Sequence, residues 1–152
     1  MKYKIRKIYA VVISFCLNCG YWVKNYRGFG ETVKAMNAYE FETINDVETF
    51  MGLFKWRKDE LIDWTPWVIT LFHRALSDDC DGAATMGKWA FGKIGIKAKV
   101  INLWGNGLGH AICVTDDHRF MISNNDVATL NPENWKENVL RFHGYLFDTI
   151  EG

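Results

Sequence analysis

The feature that most constrains this fold is a change of hydrophobic period at Gly95. Upstream, apolar residues recur at three- and four-residue steps, which predicts a helix over residues 80–94 that ends at this glycine. Downstream, extended segments alternate with turn sequences, at residues 98–104, 110–114 and 119–123. Short turns join such strands most simply in an antiparallel meander. We therefore expect a helix packed on an antiparallel sheet, which is an α+β architecture.

Length and charge fit a single globular domain. The chain has 152 residues, of which 49% are hydrophobic and 24% charged, so it can bury a core without disulfides or metal. Its 18 acidic and 18 basic residues balance, which removes the electrostatic reason to expect a nucleic-acid partner. We expect one domain over residues 1–152, with a catalytic core at 62–126 and an N-terminal extension at 1–60 whose role stays open.

The start of the chain has the composition of a secretory leader, because basic residues precede an apolar run. Small residues are lacking at a cleavage point, where Phe15 precedes Cys16, and the chain begins with methionine, so we expect that no leader is removed. The run is also too short to span a bilayer. Its β-branched and aromatic residues predict a buried strand from Tyr9 to Leu17.

Two more helices are predicted upstream of residue 80. Asn45 or Asp46 can cap the first, whose apolar residues share one side, namely Val47, Phe50, Met51 and Phe54. Thr65 can cap the second, which ends near Leu76 and has one apolar face formed by Trp67, Leu71 and Ala75.

The four cysteines, at positions 16, 19, 80 and 113, are too unevenly spaced for a disulfide framework, so a reducing compartment is expected. Cys16 and Cys19 form half of a zinc site, but no second pair of ligands follows at suitable spacing. We expect no metal and no cofactor. The expected location is cytoplasmic, with export left open.

Cys80 falls at the predicted N-terminus of its helix. The amides and the positive dipole end there favour a thiolate, which is the nucleophilic form of cysteine. His110 begins the middle strand and Asn124 ends the next, so an antiparallel pairing makes them neighbours. Together they offer a nucleophile, a base and an orienting group, with Asn125 and Asp126 as alternatives for the third position.

Several stretches resemble the transglutaminase-like cysteine peptidases, which include small bacterial and phage-encoded members. The resemblance covers residues 62–126 and rests on Ser77-Asp78-Asp79-Cys80-Asp81-Gly82-Ala83-Ala84, on residues 94–100 and on Gly109-His110-Ala111. It implies a papain-like fold in which Cys80 is the nucleophile, His110 the base and Asn124 the third member. A cysteine followed closely by glycine is also similar to the NlpC/P60 cell-wall peptidases, but the short gap to His110 favours the transglutaminase-like branch.

Two departures from this pattern leave the substrate open. Asp79 stands where glycine is common, and Gly82 where a second acidic residue is frequent. Acidic neighbours raise the pKa of a thiol and so oppose ionisation of Cys80, although they can also cap the helix or contact substrate.

The expected mechanism is acyl transfer. His110 takes the Cys80 proton to form a thiolate–imidazolium pair, and the thiolate attacks an amide carbonyl. One oxyanion donor is the Cys80 amide, and the second is expected among the indoles of Trp56, Trp64 and Trp67. Three other histidines, at 73, 118 and 143, are assigned surface or structural roles, and Cys113 is assigned to the core.

We therefore expect hydrolysis of a peptide or isopeptide bond in a protein or peptide substrate. Transglutaminase or deamidase activity on glutamine side chains uses the same acyl-enzyme with a different acceptor. A cell-wall amidase is a further alternative. An alternative of another class is a catalytically silent, protein-binding module of phage origin.

Overall fold

The computed structural model describes residues 2–58 and 65–152 as a mixture of helices and strands. Its helices are α1 (Lys2–Asn25), α2 (Phe29–Asn37), α3 (Ile44–Met51), α4 (Val68–His73), α5 (Cys80–Lys93) and α6 (Trp135–Phe142), with short 3-10 helices at Tyr26–Gly28 and Pro132–Asn134. Its strands are β1 (Lys55–Trp56), β2 (Ser77–Asp78), β3 (Ala98–Gly105), β4 (Leu108–Thr115), β5 (Phe120–Ser123), β6 (Asp126–Thr129) and β7 (Thr149–Glu151). The expected α+β class is confirmed.

A five-stranded antiparallel sheet forms the centre of the molecule, in the order β6-β5-β4-β3-β7. The predicted meander is its middle, because β3, β4 and β5 pair in sequence order. The register aligns Ile101 with Ile112, and Ile112 with Ser123. Sequence periodicity predicted neither β6 nor β7, which close the two edges. A separate pair, β1 and β2, runs parallel just before α5.

The two faces of the sheet pack against different helices. Alternate residues of the strands, including Ala111, Cys113 and Ile122, join α3 and α5 in the larger core. The other set, including Ile112 and Val114, packs against α6 and the C-terminal segment in a smaller core. Helix α5, which begins at Cys80, therefore lies on one face of the sheet, as expected, while the other face is covered by a helix that the sequence did not predict.

The N-terminal region corrects the prediction of a buried strand from Tyr9 to Leu17. This stretch belongs to α1, and Val11, Val12 and Phe15 are exposed. Among the residues that the structure describes, no helix has the length and apolarity needed to cross a membrane.

Buried hydrogen bonds explain why α1 docks where it does. Asn18 is fully buried, and its carboxamide donates to the Thr65 carbonyl and accepts from the Trp67 amide. One turn later, the Trp22 indole donates to the Thr70 hydroxyl at 2.9 Å. These bonds satisfy polar groups on both partners, so they fix α1 against the start of α4.

The two predicted upstream helices are present with different caps. Thr43 begins α3 in a reciprocal capping box with Asp46, whereas Asn45 or Asp46 was expected as the cap. Trp67 is the N-cap of α4, which ends at His73, three residues before the predicted end. The Thr65 hydroxyl is not available as a cap because it donates to Asp81.

Glycines let α5 approach its neighbours closely. A Cβ at Gly82 would overlap the Asp78 carboxylate, and one at Gly87 would lie 2.8 Å from Ile122. Gly92, in contrast, faces open space. Close packing against side chains therefore accounts for the first two glycines of this helix but not for the third.

Candidate active site

A cleft of about 460 Å3 opens where the start of α5 meets β3 and β4. Both Cys80 and His110 line it. Its described lining is Ser14, Thr65, Asp79, Cys80, Asp81, Asn102, Trp104, Gly109, His110 and Ala111. The cleft therefore joins two of the three predicted catalytic residues with polar groups from α1, from the segment before α4 and from β3.

Cys80 is the first residue of α5, as the sequence predicted. Asp79 is the N-cap, and its carboxylate accepts a hydrogen bond from the Asp81 amide at 3.3 Å. The thiol is half-buried. The positive end of the helix dipole lies beside it, which favours negative charge at this position.

Three carboxyl groups crowd the same helix start. Asp78, Asp79 and Asp81 have oxygens within 4.8 Å of one another. Asp78 is fully buried and forms an ion pair with Arg74 at 2.7 Å. The Asp81 carboxyl accepts from the Thr65 hydroxyl at 2.6 Å, while its other oxygen is buried without a hydrogen-bond partner.

This crowding changes the protonation of Asp81. The pKa of Asp81 is raised to about 8, mainly by burial and also by the side chain of Asp79 and the charges of Asp79 and Asp78, while the Thr65 hydroxyl opposes the rise. Near neutral pH, Asp81 is therefore mostly a neutral acid that holds a proton close to Cys80. The negative charge beside the thiol is smaller than the sequence suggests.

His110 lies at the start of β4, and its ring packs on the α6 side of the sheet. Strand alternation gives it the face of Ile112 and Val114. The Phe147 ring stacks on the imidazole at a centroid distance of 5.9 Å, and the His143 ring lies edge-on at 5.0 Å. The C-terminal segment thus forms a wall around this histidine.

The wall keeps the imidazole neutral. The pKa of His110 is lowered to about 4, mainly by burial and also by the neighbouring His143, while the charge of Asp79 opposes the shift. Burial also lowers the pKa of His143. At neutral pH, His110 therefore carries an unprotonated nitrogen that can accept a proton. The expected imidazolium of a resting ion pair is not the favoured form.

Ser123, and not Asn124, hydrogen-bonds the His110 ring. The Ser123 hydroxyl lies 2.9 Å from Nε2 of His110. Asn124 has a left-handed backbone (φ 53°), and its amide oxygen is buried without a hydrogen-bond partner. The predicted bond from His110 to Asn124 is therefore absent, because the β4–β5 register puts Ser123 on the histidine's face.

The two alternatives for the third position are no closer to this role. Asn125 lies in the turn between β5 and β6, and Asp126 is the first residue of β6. Both are exposed, and the hydrogen bond of the His110 ring goes to Ser123.

The tryptophan in the described lining of the cleft belongs to β3. Trp104 lines it and is 45% exposed. A Cβ at Gly109 would lie 2.5 Å from the Trp104 ring, so a glycine next to His110 makes room for the indole. Of the predicted oxyanion donors, Trp56 and Trp67 are not in the described lining, and Trp64 lies outside the described residues. Asn102 brings a side-chain amide into the cleft instead.

The other predicted non-catalytic residues have clear structural roles, with one exception. Cys113 is fully buried, and burial raises its pKa to about 12. His73 hydrogen-bonds the Tyr21 hydroxyl, and His118 stacks on Trp135. The exception is His143, which sequence reasoning assigned away from the site and which lies against His110.

Comparison with models of known protein families, with curated proteins and with solved structures finds no match for this chain. The geometry of the cleft is accordingly the basis on which function is argued.

Proposed function

We propose that this protein is a thiol-dependent acyl-transfer enzyme that hydrolyses peptide or isopeptide bonds, with Cys80 as nucleophile and His110 as base in a transglutaminase-like, papain-like core. The observation that supports this most is the shared cleft. It combines a cysteine at a helix N-terminus with a neutral histidine whose other nitrogen is hydrogen-bonded.

The tautomer of His110 follows from its partner. If Nε2 carries the hydrogen and donates to Ser123, Nδ1 has the lone pair that accepts the Cys80 proton. The sulfur then attacks the carbonyl carbon, forming a C–S bond and an oxyanion. Suitable donors for that oxyanion are the Cys80 amide and the Asn102 side chain.

Breakdown of the intermediate completes the reaction. The C–N bond breaks, the leaving amine takes the proton from His110, and a thioester remains on Cys80. Water, activated by the same histidine, attacks the thioester and releases the acid and the thiol. A lysine or another amine in place of water gives transamidation, and a glutamine side chain as acyl donor gives deamidation or cross-linking.

Electrostatics favour general-base activation over a standing ion pair. The low pKa of His110 keeps the imidazole neutral until it receives the thiol proton. The raised pKa of Asp81 keeps a carboxyl near Cys80 neutral at the same pH. The thiol is thus ionised as it attacks.

Alkylation with iodoacetamide tests the proposal, with peptide mapping to follow each cysteine. Cys16 is exposed and provides an ordinary thiol within the same molecule. At pH 7 we expect Cys80 to label at least about tenfold faster than Cys16, and His110→Ala to remove the difference. His118→Ala is the matched control, because this histidine stacks on Trp135 away from the cleft.

A peptide substrate provides the second arm. The protein is incubated with a mixture of peptides and the reaction is quenched in acid. Intact mass should then detect an acyl adduct on Cys80, and Cys80→Ser should lack this thioester. Labelling no faster than Cys16, together with no adduct, would contradict the enzyme and favour the binding module.

The alternative is a catalytically silent, protein-binding domain. Two observations favour it: the His110 ring packs on the sheet face away from α5, and three carboxyl groups crowd the helix start that carries the thiol. Such a module has no need of a thiol that ionises near neutral pH. Its expected behaviour is slow labelling of Cys80 that His110→Ala does not change.

A further inference from the structure

Helix α1 exposes an apolar surface. Asn18 and Trp22 hold one side of it against α4. Positions 12, 16 and 23 fall on another side by helical spacing, and all three are exposed, with Val12 at 52% and Val23 at 78%. The exposed apolar side chains along this helix are Val11, Val12, Ile13, Phe15 and Val23. Of these, Val12, Ile13 and Val23 lie off the side that Asn18 and Trp22 hold against α4, and such a group is unusual on a surface that meets only water.

The charges around this surface have one sign. The first 30 residues contain no acidic residue, and their basic residues are Lys2, Lys4, Arg6, Lys7, Lys24 and Arg27. No charged residue lies between Ile8 and Val23. Because the whole chain is neutral, the rest of the protein carries a net negative charge. Positive charge is therefore concentrated at the two ends of the exposed apolar stretch.

We infer that α1 binds the surface of an anionic lipid bilayer. Val12, Ile13 and Val23 enter the boundary between head groups and acyl chains, and the basic ends of the helix contact the phosphates. An interfacial helix combines this apolar surface with flanking lysine and arginine. Basic residues near an anionic membrane add electrostatic attraction that a neutral surface does not supply.

Charge complementarity favours a membrane over a second copy of this chain. Two copies of α1 packed side by side would bring like charges together at both ends, which opposes association. An anionic bilayer instead neutralises all of them at once. The negatively charged remainder of the protein is repelled by the same membrane, which orients the molecule with α1 toward the lipid and the rest away.

Vesicle sedimentation of the full chain tests the inference. One set of vesicles contains one part phosphatidylglycerol to three parts phosphatidylcholine, and the other contains phosphatidylcholine alone. We expect binding to the first set at about 0.1 M salt, and at least about tenfold weaker binding to the second set or at about 1 M salt. Val12→Glu and Val23→Glu should each reduce binding to the anionic vesicles by about tenfold or more.

Leu53→Glu is the matched control, because Leu53 is 51% exposed in the turn after α3, and this variant should bind as the wild type does. Far-ultraviolet circular dichroism establishes that each variant is folded. The inference is overturned if Leu53→Glu loses as much vesicle binding as the two α1 variants, or if the folded wild type does not bind anionic vesicles. So does a dimer in solution that Val12→Glu converts to a monomer without any vesicle binding, because a second copy would then cover α1. The outcome does not depend on catalysis by Cys80.

Discussion

The Ser123 hydroxyl orients the base of the candidate site. It lies 2.9 Å from Nε2 of His110 and is 3% exposed, so water does not readily replace it. This bond fixes the orientation of the imidazole ring, and where the hydroxyl accepts from Nε2–H, the opposite nitrogen has the lone pair for proton transfer.

Replacing Ser123 should therefore lower the reactivity of Cys80. We expect Ser123→Ala to slow alkylation of Cys80 at pH 7 by about tenfold, because the imidazole loses the acceptor that orients it. Asn124→Gly is the control, since glycine tolerates the left-handed backbone and Asn124 makes no bond to the histidine. A slower rate in Asn124→Gly with an unchanged rate in Ser123→Ala would restore the original assignment of Asn124.

His143 should tune the basicity of its neighbour. Because its charge lowers the pKa of His110, His143→Gln should raise that pKa above about 4. The value should stay below that of a free imidazole, since burial is the larger cause. Titration of the imidazole signals by NMR measures the shift, and His118→Gln provides a histidine loss away from the site. An unchanged His110 pKa in folded His143→Gln would exclude this coupling.

At the scale of elements, α5 depends on glycine where it crosses the Asp78 side chain. Gly82→Ala should lower the free energy of unfolding by about 1–3 kcal/mol, because the added methyl group overlaps a buried carboxylate held by Arg74. Gly92→Ala, in the same helix but facing open space, should raise it by about 0.5–1 kcal/mol. Urea denaturation measures both. Equal effects would mean that α5 shifts to accommodate the methyl group.

The elements that sequence predicted best are those with a strong local signal. Helix α5 and strands β3 to β5 each have a clear period, and a positive-φ glycine, Gly95, follows the helix end. The strand predicted from Tyr9 to Leu17 is wrong, because the β-branched residues of this stretch lie in helix α1. Its helical signal was the spacing of Asn18, Trp22 and Asn25, which places polar and aromatic groups on one side.

The parts that sequence missed depend on distant contacts. Strand β7 has three residues and exists because it pairs with Asn102, Leu103 and Trp104. The hydrogen-bond partner of His110 is Ser123, one residue before the predicted Asn124. A shift of one residue moves a side chain to the other face of a strand, and periodicity alone does not determine this register. His143 and Phe147 reach His110 only because the chain returns to the sheet after α6, and no local sequence pattern predicts that return.

At the scale of the whole molecule, Asp81 makes stability depend on pH. Its folded pKa, about 8, lies above that of an unfolded aspartate, about 4, so the folded state binds more protons between these values. The stabilisation that comes from keeping Asp81 protonated is complete below about pH 4 and is lost as the pH rises through about 8. The free energy of unfolding attributable to this group therefore falls over that window.

Asp81→Asn should remove this dependence and exceed the wild type in stability at pH 8, with a smaller difference near pH 4. Urea denaturation at several pH values measures the two profiles. Asp117→Asn is the control. Hydrogen bonding to Thr115 lowers the pKa of Asp117, so ionisation of this residue changes stability only at acidic pH and in the opposite direction. Parallel profiles for Asp81→Asn and the wild type would show that Asp81 ionises normally in the folded protein.

The central sheet also has an edge that is only half covered. Strand β7 pairs with residues 102–104 of β3, which leaves the stretch from Ala98 to Ile101 with a ladder on the β4 side in the described structure. Unpaired backbone of this kind is a template on which another chain can add a strand. Lys97 and Lys99 stand at this edge, and their charge and hydration disfavour such addition. Positive charge at this edge therefore also disfavours growth of a fibril from it, independently of any chemistry in the cleft.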